Sequence, residues 1–337
     1  MIRVPFEEVQ GVLVRIFTGL GFDADAAKTC ARIFAEASRD GVASHGINRV
    51  PRFVSYVQSG VVDVRARAER VSAPGSAWEQ WDGHRAAGPL SAITCMSRAI
   101  ELASSNGVGA VGLRNTNHWM RGGAYGWQAA DAGFLGICWT NTNPNLPPWG
   151  GRENRLGNNP LIVAVPSAEG GVVLDMSMSQ FSYGRMETAH HRGERLPVAG
   201  GYDKAGQLTD DPGAILEAQR PLPIGFWKGS GLSLLLDLVA ALLSGGQTTS
   251  EIRRETAETG LSQVFIAFDL EKAMPAAARN VLIASVLEWT ASSAPAEGSG
   301  SGIKFPGERT LKARRDSLNG GVPVDEAIWN AVVALAV

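Results

Sequence analysis

Ser44, His45 and Arg49 stand within six residues of one another in the stretch SRDGVASHGINRVPRF, residues 38–53. The chain has only five histidines, His45, His84, His118, His190 and His191, so the placement of each is informative. Ser44 is of a type that caps helices, its hydroxyl accepting from a free amide of the first turn. A helix starting there puts His45 at its mouth and Arg49 four residues on, on the same face. Free amides and the helix dipole favour an anion at such a mouth. The arginine fork matches a carboxylate. An anionic group held there would lie beside an imidazole. For a 2-oxo acid that chemistry is useful: a carbonyl that accepts hydride develops charge on oxygen, and an imidazolium can supply the proton. The same dipole disfavours imidazolium, so the proton needs an acidic partner or the bound substrate to hold it. The spacing is equally compatible with a capping Ser44 and a solvated His45.

Other residues invite comparison. In RNTNHWMRGGAYGW, residues 114–127, His118 follows an apolar run of strand type, with Arg121 and paired glycines behind it, a setting typical of functional loops. Lys228, in PLPIGFWKGSGL, precedes a Gly-Ser-Gly turn that opens an apolar helix, which reads as an anion site or as a surface lysine. DMSMSQFSYG, residues 175–184, is crowded with hydroxyls after a strand and suits a pocket wall or a plain loop. His190 and His191 are adjacent, so their side chains diverge, and no metal site is expected. GVGAVG, residues 107–112, matches G-x-G-x-x-G, but a helix ends at Gly107 and a strand follows. The dinucleotide fingerprint requires the reverse order, so the match is refused.

These residues need elements to hold them. FEEVQGVLVRIFTGLG carries a helical apolar stripe at Phe6, Val9, Val12, Leu13, Ile16 and Phe17. A second helix runs from an Asp23 cap to Gly41, a third starts near Ser44 and stops at Gly60, and a fourth is closed by Gly107. The texture then changes to short apolar runs of strand length at 134–140, 161–167, 171–177 and 263–270. The second and third of these predict an antiparallel hairpin. A long buried helix is expected after Gly231, a mobile loop over 294–302, and a C-terminal helix that packs back on the N-terminal ones. The 337 residues are 45% hydrophobic and 19% charged, and 31 Lys and Arg against 33 Asp and Glu give a net charge of −2. That balance offers no field for nucleic acid or an anionic membrane. Three dispersed cysteines, Cys30, Cys95 and Cys138, argue against a disulfide framework and for a reducing compartment. The run 232–243 is too short to span a bilayer and carries Asp237, so a soluble, cytoplasmic protein is expected.

Taken together, SRDGVASHGINRVPRF, LRNTNHWMRGGAYGWQAA, GICWTNTNPNLPPWGG, GNNPLIVAVP, LDMSMSQFSYG, PLPIGFWKGSGL and KFPGER resemble, in order, the malate/L-lactate dehydrogenase type 2 family of NAD(P)H-dependent oxidoreductases. The resemblance runs from about Phe6 to the C-terminus, and NHWMRGG, DMSMSQFSYG and WKGSG resemble its 2,3-diketo-L-gulonate-reducing branch. It implies reduction of the 2-oxo group of a diketo sugar acid by NADH, with NADPH and other 2-hydroxy acids or a cyclic imine acid as alternatives. A metal-dependent hydrolase is the rival from another class. The implied fold is α/β with a mixed, largely antiparallel sheet: a non-Rossmann dinucleotide-binding domain (116–310) and a helical domain from both chain ends (1–115 with 311–337). The implied site has His45 and His118 as acid/base candidates, and Ser44, Arg49 and Arg121 toward substrate. Gly171, Val172, Val173, Leu174, Asp175, Met176, Ser177, Trp227, Lys228, Gly307, Glu308 and Arg309 are implied to contact the cofactor. Family members are implied to be homodimers or larger, with the site near a subunit interface.

Overall fold

A computed structural model describes residues 1–296 and 302–336. The expected loop over 294–302 therefore lies largely outside the described residues. The chain opens with β1 (Ile2–Val4), α1 (Phe6–Gly19), α2 (Ala24–Arg39) and α3 (Val50–Gln58). Val9, Val12, Leu13, Ile16 and Phe17 form the buried stripe of α1. The Asp23 carboxylate caps α2, accepting from Ala26 N at 2.8 Å. Next come β2 (Glu69–Arg70), β3 (Trp78–Asp82), α4 (Gly88–Asn106), β4 (Val108–Asn117), α5 (Gly123–Asp131), β5 (Leu135–Thr140), β6 (Leu161–Val165) and β7 (Val172–Met176). They are followed by α6 (Tyr183–His191), the small pair β8 (Gly201–Tyr202) and β9 (Leu208–Thr209), α7 (Pro212–Ala218), α8 (Trp227–Ser244), α9 (Thr249–Ile252) and β10 (Thr259–Phe268). The chain ends with α10 (Ala276–Ala291), α11 (Glu308–Gly320), β11 (Val322–Val324) and α12 (Glu326–Ala334).

The main sheet has seven strands in the order β2-β3-β4-β10-β5-β6-β7. Every neighbouring pair is antiparallel except β3 with β4. β10 lies at its centre and is nearly continuously buried, as a strand covered on both faces must be. Phe265 turns to one face, packing with Trp119, Tyr125 and the residues of α4 and α5. Val264 turns to the other, with Trp139, Leu236 and Ala240 of α8. α4 ends at Gly107 in the left-handed conformation (φ 86°) and β4 starts at once, so the G-x-G-x-x-G match is a helix C-cap running into a strand.

α1, α2 and α3, joined by Val322, Val324, Trp329 and Val332 from the other end of the chain, share a second core. The rings of Phe17, Phe22, Phe34 and Phe53 meet there. Both chain ends thus contribute to this core, and the domain boundary expected from the sequence lies at 115. That position cuts β4, and β2, β3 and α4 already belong to the sheet layer. The apolar stripe of α4 fits any core; that it packs on the sheet is decided by the parallel β3–β4 pairing.

Two further expectations are corrected. No helix starts at Ser44: residues Ala43–His45 and Ile47–Arg49 form two 3₁₀ turns, and α3 begins at Val50. α8 is longer than the apolar run alone, 18 residues, long and apolar enough to cross a membrane, yet it is not buried all round. Leu236, Ala240 and Ser244 pack on the sheet, and Asp237 accepts from Asn141 Nδ2 (2.9 Å) and Thr249 N (2.8 Å). Leu234, Leu235, Leu238 and Leu242 face outward.

Candidate active site

The segment carrying His45 and Arg49 is fixed by α2 and by its own turns. Ser38, buried on α2, accepts from Ile47 N at 2.8 Å, and Ile47 is itself buried. His45 N donates to Val42 O (3.0 Å) and Arg49 N to Gly46 O (2.9 Å). Ser44 caps nothing; its hydroxyl lies 3.3 Å from His45 Nδ1. His45 and Arg49 nevertheless face one space, a cavity of about 1370 Å³. It lies where the helical unit, the segment after β4, strand β7 and the start of α11 converge.

His118 reaches this cavity from the sheet. Met120, in the left-handed conformation (φ 65°), donates its N–H to His118 Nδ1 at 3.0 Å. A backbone N–H can only donate, so the neutral ring carries its proton on Nε2. The two imidazoles stack with centroids 5.7 Å apart and planes 11° from parallel. Burial, then Arg49, His45 and Arg52, hold His118 well below its ordinary pKa of 6.5. Burial also lowers His45, but the Asp175 carboxylate pulls against it, with Arg49 and Arg121 adding to the depression. Asp175, which shares the cavity with His45, is thus the carboxylate whose charge favours its protonation.

Asp175 stands near the end of β7, and its Oδ2 accepts from Gly123 N at 3.0 Å. A Cβ on Gly123 would come within 2.7 Å of that oxygen, so only glycine brings the amide so close. Arg121 also lines the cavity, but its guanidinium is engaged: Nη1 donates to Asp40 (2.7 Å), Nη2 to Thr310 Oγ1 (3.2 Å), and Nε lies 3.7 Å from Asp175. Arg49 is freer, its nearest carboxylate being Glu258 at 4.0 Å. Burial pushes the Glu258 carboxyl above its usual range, with Arg49 opposing. Glu258, Arg52 and the amides of Asn143, Asn145, Asn154 and Asn158 line the cavity too, none of them singled out from the sequence. The asparagine crowding of 141–145 was the available signal.

The residues expected at the cofactor divide into three groups. Val173, Leu174, Asp175, Ser177, Gly307 and Arg309 line the main cavity. Gly171 and Glu308 line a second, apolar one of about 550 Å³ under α10, and Phe305 borders both. Val172 and Met176, at the two ends of β7, border neither. Trp227 and Lys228, in the first turn of α8, also border neither; Trp227 is 66% exposed.

The turn before α11 has the form of a cradle for a long anion. Pro306 O accepts from Val173 N at 3.0 Å, laying the turn along the free edge of β7. Gly307 (φ 96°) has backbone atoms of Val173 where a Cβ would go, at 3.1 and 3.3 Å. Behind it α11 opens with Arg309 and Thr310 on the cavity wall, an arrangement suited to a pyrophosphate. Five cationic side chains, Lys304, Arg49, Arg52, Arg121 and Arg309, line this cavity against Asp175, Glu187 and Glu258. Among the described residues no group of three or more His, Cys, Asp or Glu could hold a metal ion; His190 and His191 sit exposed at the end of α6.

The profile of the malate/L-lactate dehydrogenase family matches residues 4–333. A protein of Salmonella typhi named 2,3-diketo-L-gulonate reductase is 46% identical over 334 residues, covering 99% of this chain and all of that one. Malate dehydrogenase from Pyrococcus horikoshii superposes with a TM-score of 0.89 at 28% identity, over 99% of this chain and 94% of that one. A Δ1-piperideine-2-carboxylate reductase from Pseudomonas syringae gives 0.84 at 27% identity, over 99% of this chain and all of that one.

Proposed function

The chain belongs to the malate/L-lactate dehydrogenase family and is an oxidoreductase, and we propose that it is an NADH-dependent reductase of a diketo sugar acid, 2,3-diketo-L-gulonate, giving 3-dehydro-L-gulonate. The observation that carries this reading is the meeting of His45, His118, Arg49 and Asp175 in one cation-rich cavity beside the Gly307 cradle. The reductase relative at 46% identity supports the substrate. The polar wall of Asn143, Asn145, Asn154, Asn158 and Tyr183 suits the hydroxyls of a sugar acid better than a purely apolar pocket would.

The residues present fit a dinucleotide. Gly307, Arg309 and the first turn of α11 would hold its pyrophosphate, and β7 would run beside it. Gly171 and Glu308 would serve from the smaller cavity. When bound, the nicotinamide supplies the hydride. Arg49 receives the substrate carboxylate, which fixes the 2-oxo carbon. His118, neutral and protonated on Nε2, donates a hydrogen bond to the oxygen on which charge develops. His45 gives up the proton, and the Asp175 carboxylate stabilises the imidazolium until it does. Low pH favours this direction, because the depressed pKa of His45 leaves little imidazolium in the free protein at neutrality. The reverse oxidation uses neutral His45 as base.

We further read the protein as a soluble, cytoplasmic homodimer. The outward leucines of α8, and α10 with no buried residue and Trp289 81% exposed, are more apolar surface than a monomer usually leaves open. A second copy on α8 would cover this face and bring the otherwise remote Trp227 and Lys228 into use. The enzymatic reading is tested with purified protein, NADH or NADPH, and a panel of oxo acids. We expect NADH oxidation with 2,3-diketo-L-gulonate well above that with oxaloacetate, pyruvate or Δ1-piperideine-2-carboxylate. Turnover of one of the others alone would remove the substrate assignment; no nicotinamide oxidation with any would remove the reading.

A further inference from the structure

Asp40, one residue beyond α2, carries more cations than a single ion pair needs. It is 4% exposed, and Arg121, also buried at 5%, donates to it from Nη1 at 2.7 Å. Arg39 donates from Nε at 2.8 Å, and Arg314 of α11 from Nε and Nη2 at 3.0 and 2.8 Å. Glu36 and Asp131 lie near enough to offset part of that charge at Arg39 and Arg314. Arg121 has Asp175 as its second carboxylate. Its remaining donor, Nε, is buried without a hydrogen-bond partner and sits 3.7 Å from Asp175 Oδ2, while Gly123 N holds the same oxygen. The guanidinium is therefore ion-paired with the Asp175 carboxylate at 3.7 Å without hydrogen-bonding to it.

Resting on the reading of His45 as proton donor, we infer that Asp40 is a positioning residue for the reaction. By holding the Arg121 guanidinium, with Thr310 as second anchor, it keeps Asp175 free of an arginine hydrogen bond and so available to His45. Without Asp40, two anchors remain for Arg121, Thr310 and Asp175. The guanidinium then closes on Asp175 and spends its charge. The other charged or titratable groups on His45 are Arg49 from its own segment and His118 from the segment after β4. Lys304 and Arg309 before and within α11, and Glu187 of α6, line the same cavity. None of these hydrogen-bonds to Asp40; Arg309 shares α11 with Arg314, which does.

The test is a histidine ¹³Cε1–¹Hε1 NMR titration of the full-length protein, tractable with five histidines, the His45 signal being assigned by its loss in His45→Asn. Asp40→Asn is expected to move the His45 midpoint down by roughly one pH unit. Arg121→Gln, which removes the cation, moves it up. The double variant behaves as Arg121→Gln alone, because Asp40 acts through Arg121. A His45 midpoint that stays at the wild-type value in a folded Asp40→Asn protein, or a double variant displaced from Arg121→Gln, overturns the inference. If Asp40→Asn does not fold, Arg121→Gln still decides it: Asp40 remains paired there with Arg39 and Arg314, and an unmoved His45 signal is equally fatal. The titration requires no turnover. A protein that reduces no oxo acid thus fails the functional reading separately, while an active enzyme with an unresponsive His45 fails this inference alone.

Discussion

His45 and His118 have the same side chain and stack with their rings 5.7 Å apart, yet their electrostatic surroundings differ. His118 accepts from Met120 N–H and faces arginines, so nothing near it favours a charge. His45 shares the cavity with Asp175, whose charge does. The same contrast makes a stability prediction. Both histidines are held below the ordinary value of 6.5 in the folded state, so the unfolded chain binds more protons as pH falls past that value. Stability is then fully present above pH 6.5 and is lost on acidification, by at most about 1.4 kcal/mol per pH unit for each histidine. Urea unfolding at pH 7.5 and 5.5 checks this. The loss between the two should shrink in His118→Asn, and an unchanged loss would mean that His118 is not the buried neutral group described.

Elements whose cause is local were legible in the sequence. The Asp23 cap, the Gly107 stop, the β6–β7 hairpin and the stripe of α1 each depend on neighbours a few residues away. The candidate residues His45, Arg49 and His118 were legible by type, and the fold brings all three to one cavity. Their backbone was not. Ser38 Oγ takes the Ile47 amide and breaks the segment into two 3₁₀ turns, a contact across nine residues that no periodicity encodes. The partnership of Asp175 with His45 spans 130 positions, and Asp40 meets Arg121 and Arg314 across 81 and 274. Such pairs exist only once the chain ends are packed on the sheet. The exposure of α8 was hidden for a related reason: apolar content alone does not tell a helix buried all round from one with an exposed outer face.

At the scale of the whole molecule, the cavity sits where the helical unit meets the open edge of the sheet. His45 and Arg49 come from the first, and His118, Asp175 and the Gly307 turn from the second. The two units must therefore pack correctly before any of the chemistry is assembled. The proposed homodimer would cover the outward leucines of α8. Sedimentation equilibrium should give twice the 35.6 kDa chain mass for wild type, and the chain mass for Leu235→Glu/Leu242→Glu. A wild type that sediments as a single chain would contradict it.

The central claim is that His45 delivers the proton within a site that binds its nicotinamide elsewhere. The most direct measurement pairs turnover with NADH affinity, by fluorescence titration, in His45→Asn. The expected result is a kcat lowered about 10²–10⁴-fold with NADH affinity unchanged within about twofold. A His45→Asn protein that turns over at the wild-type rate, or that loses NADH binding in step with its activity, would contradict the account.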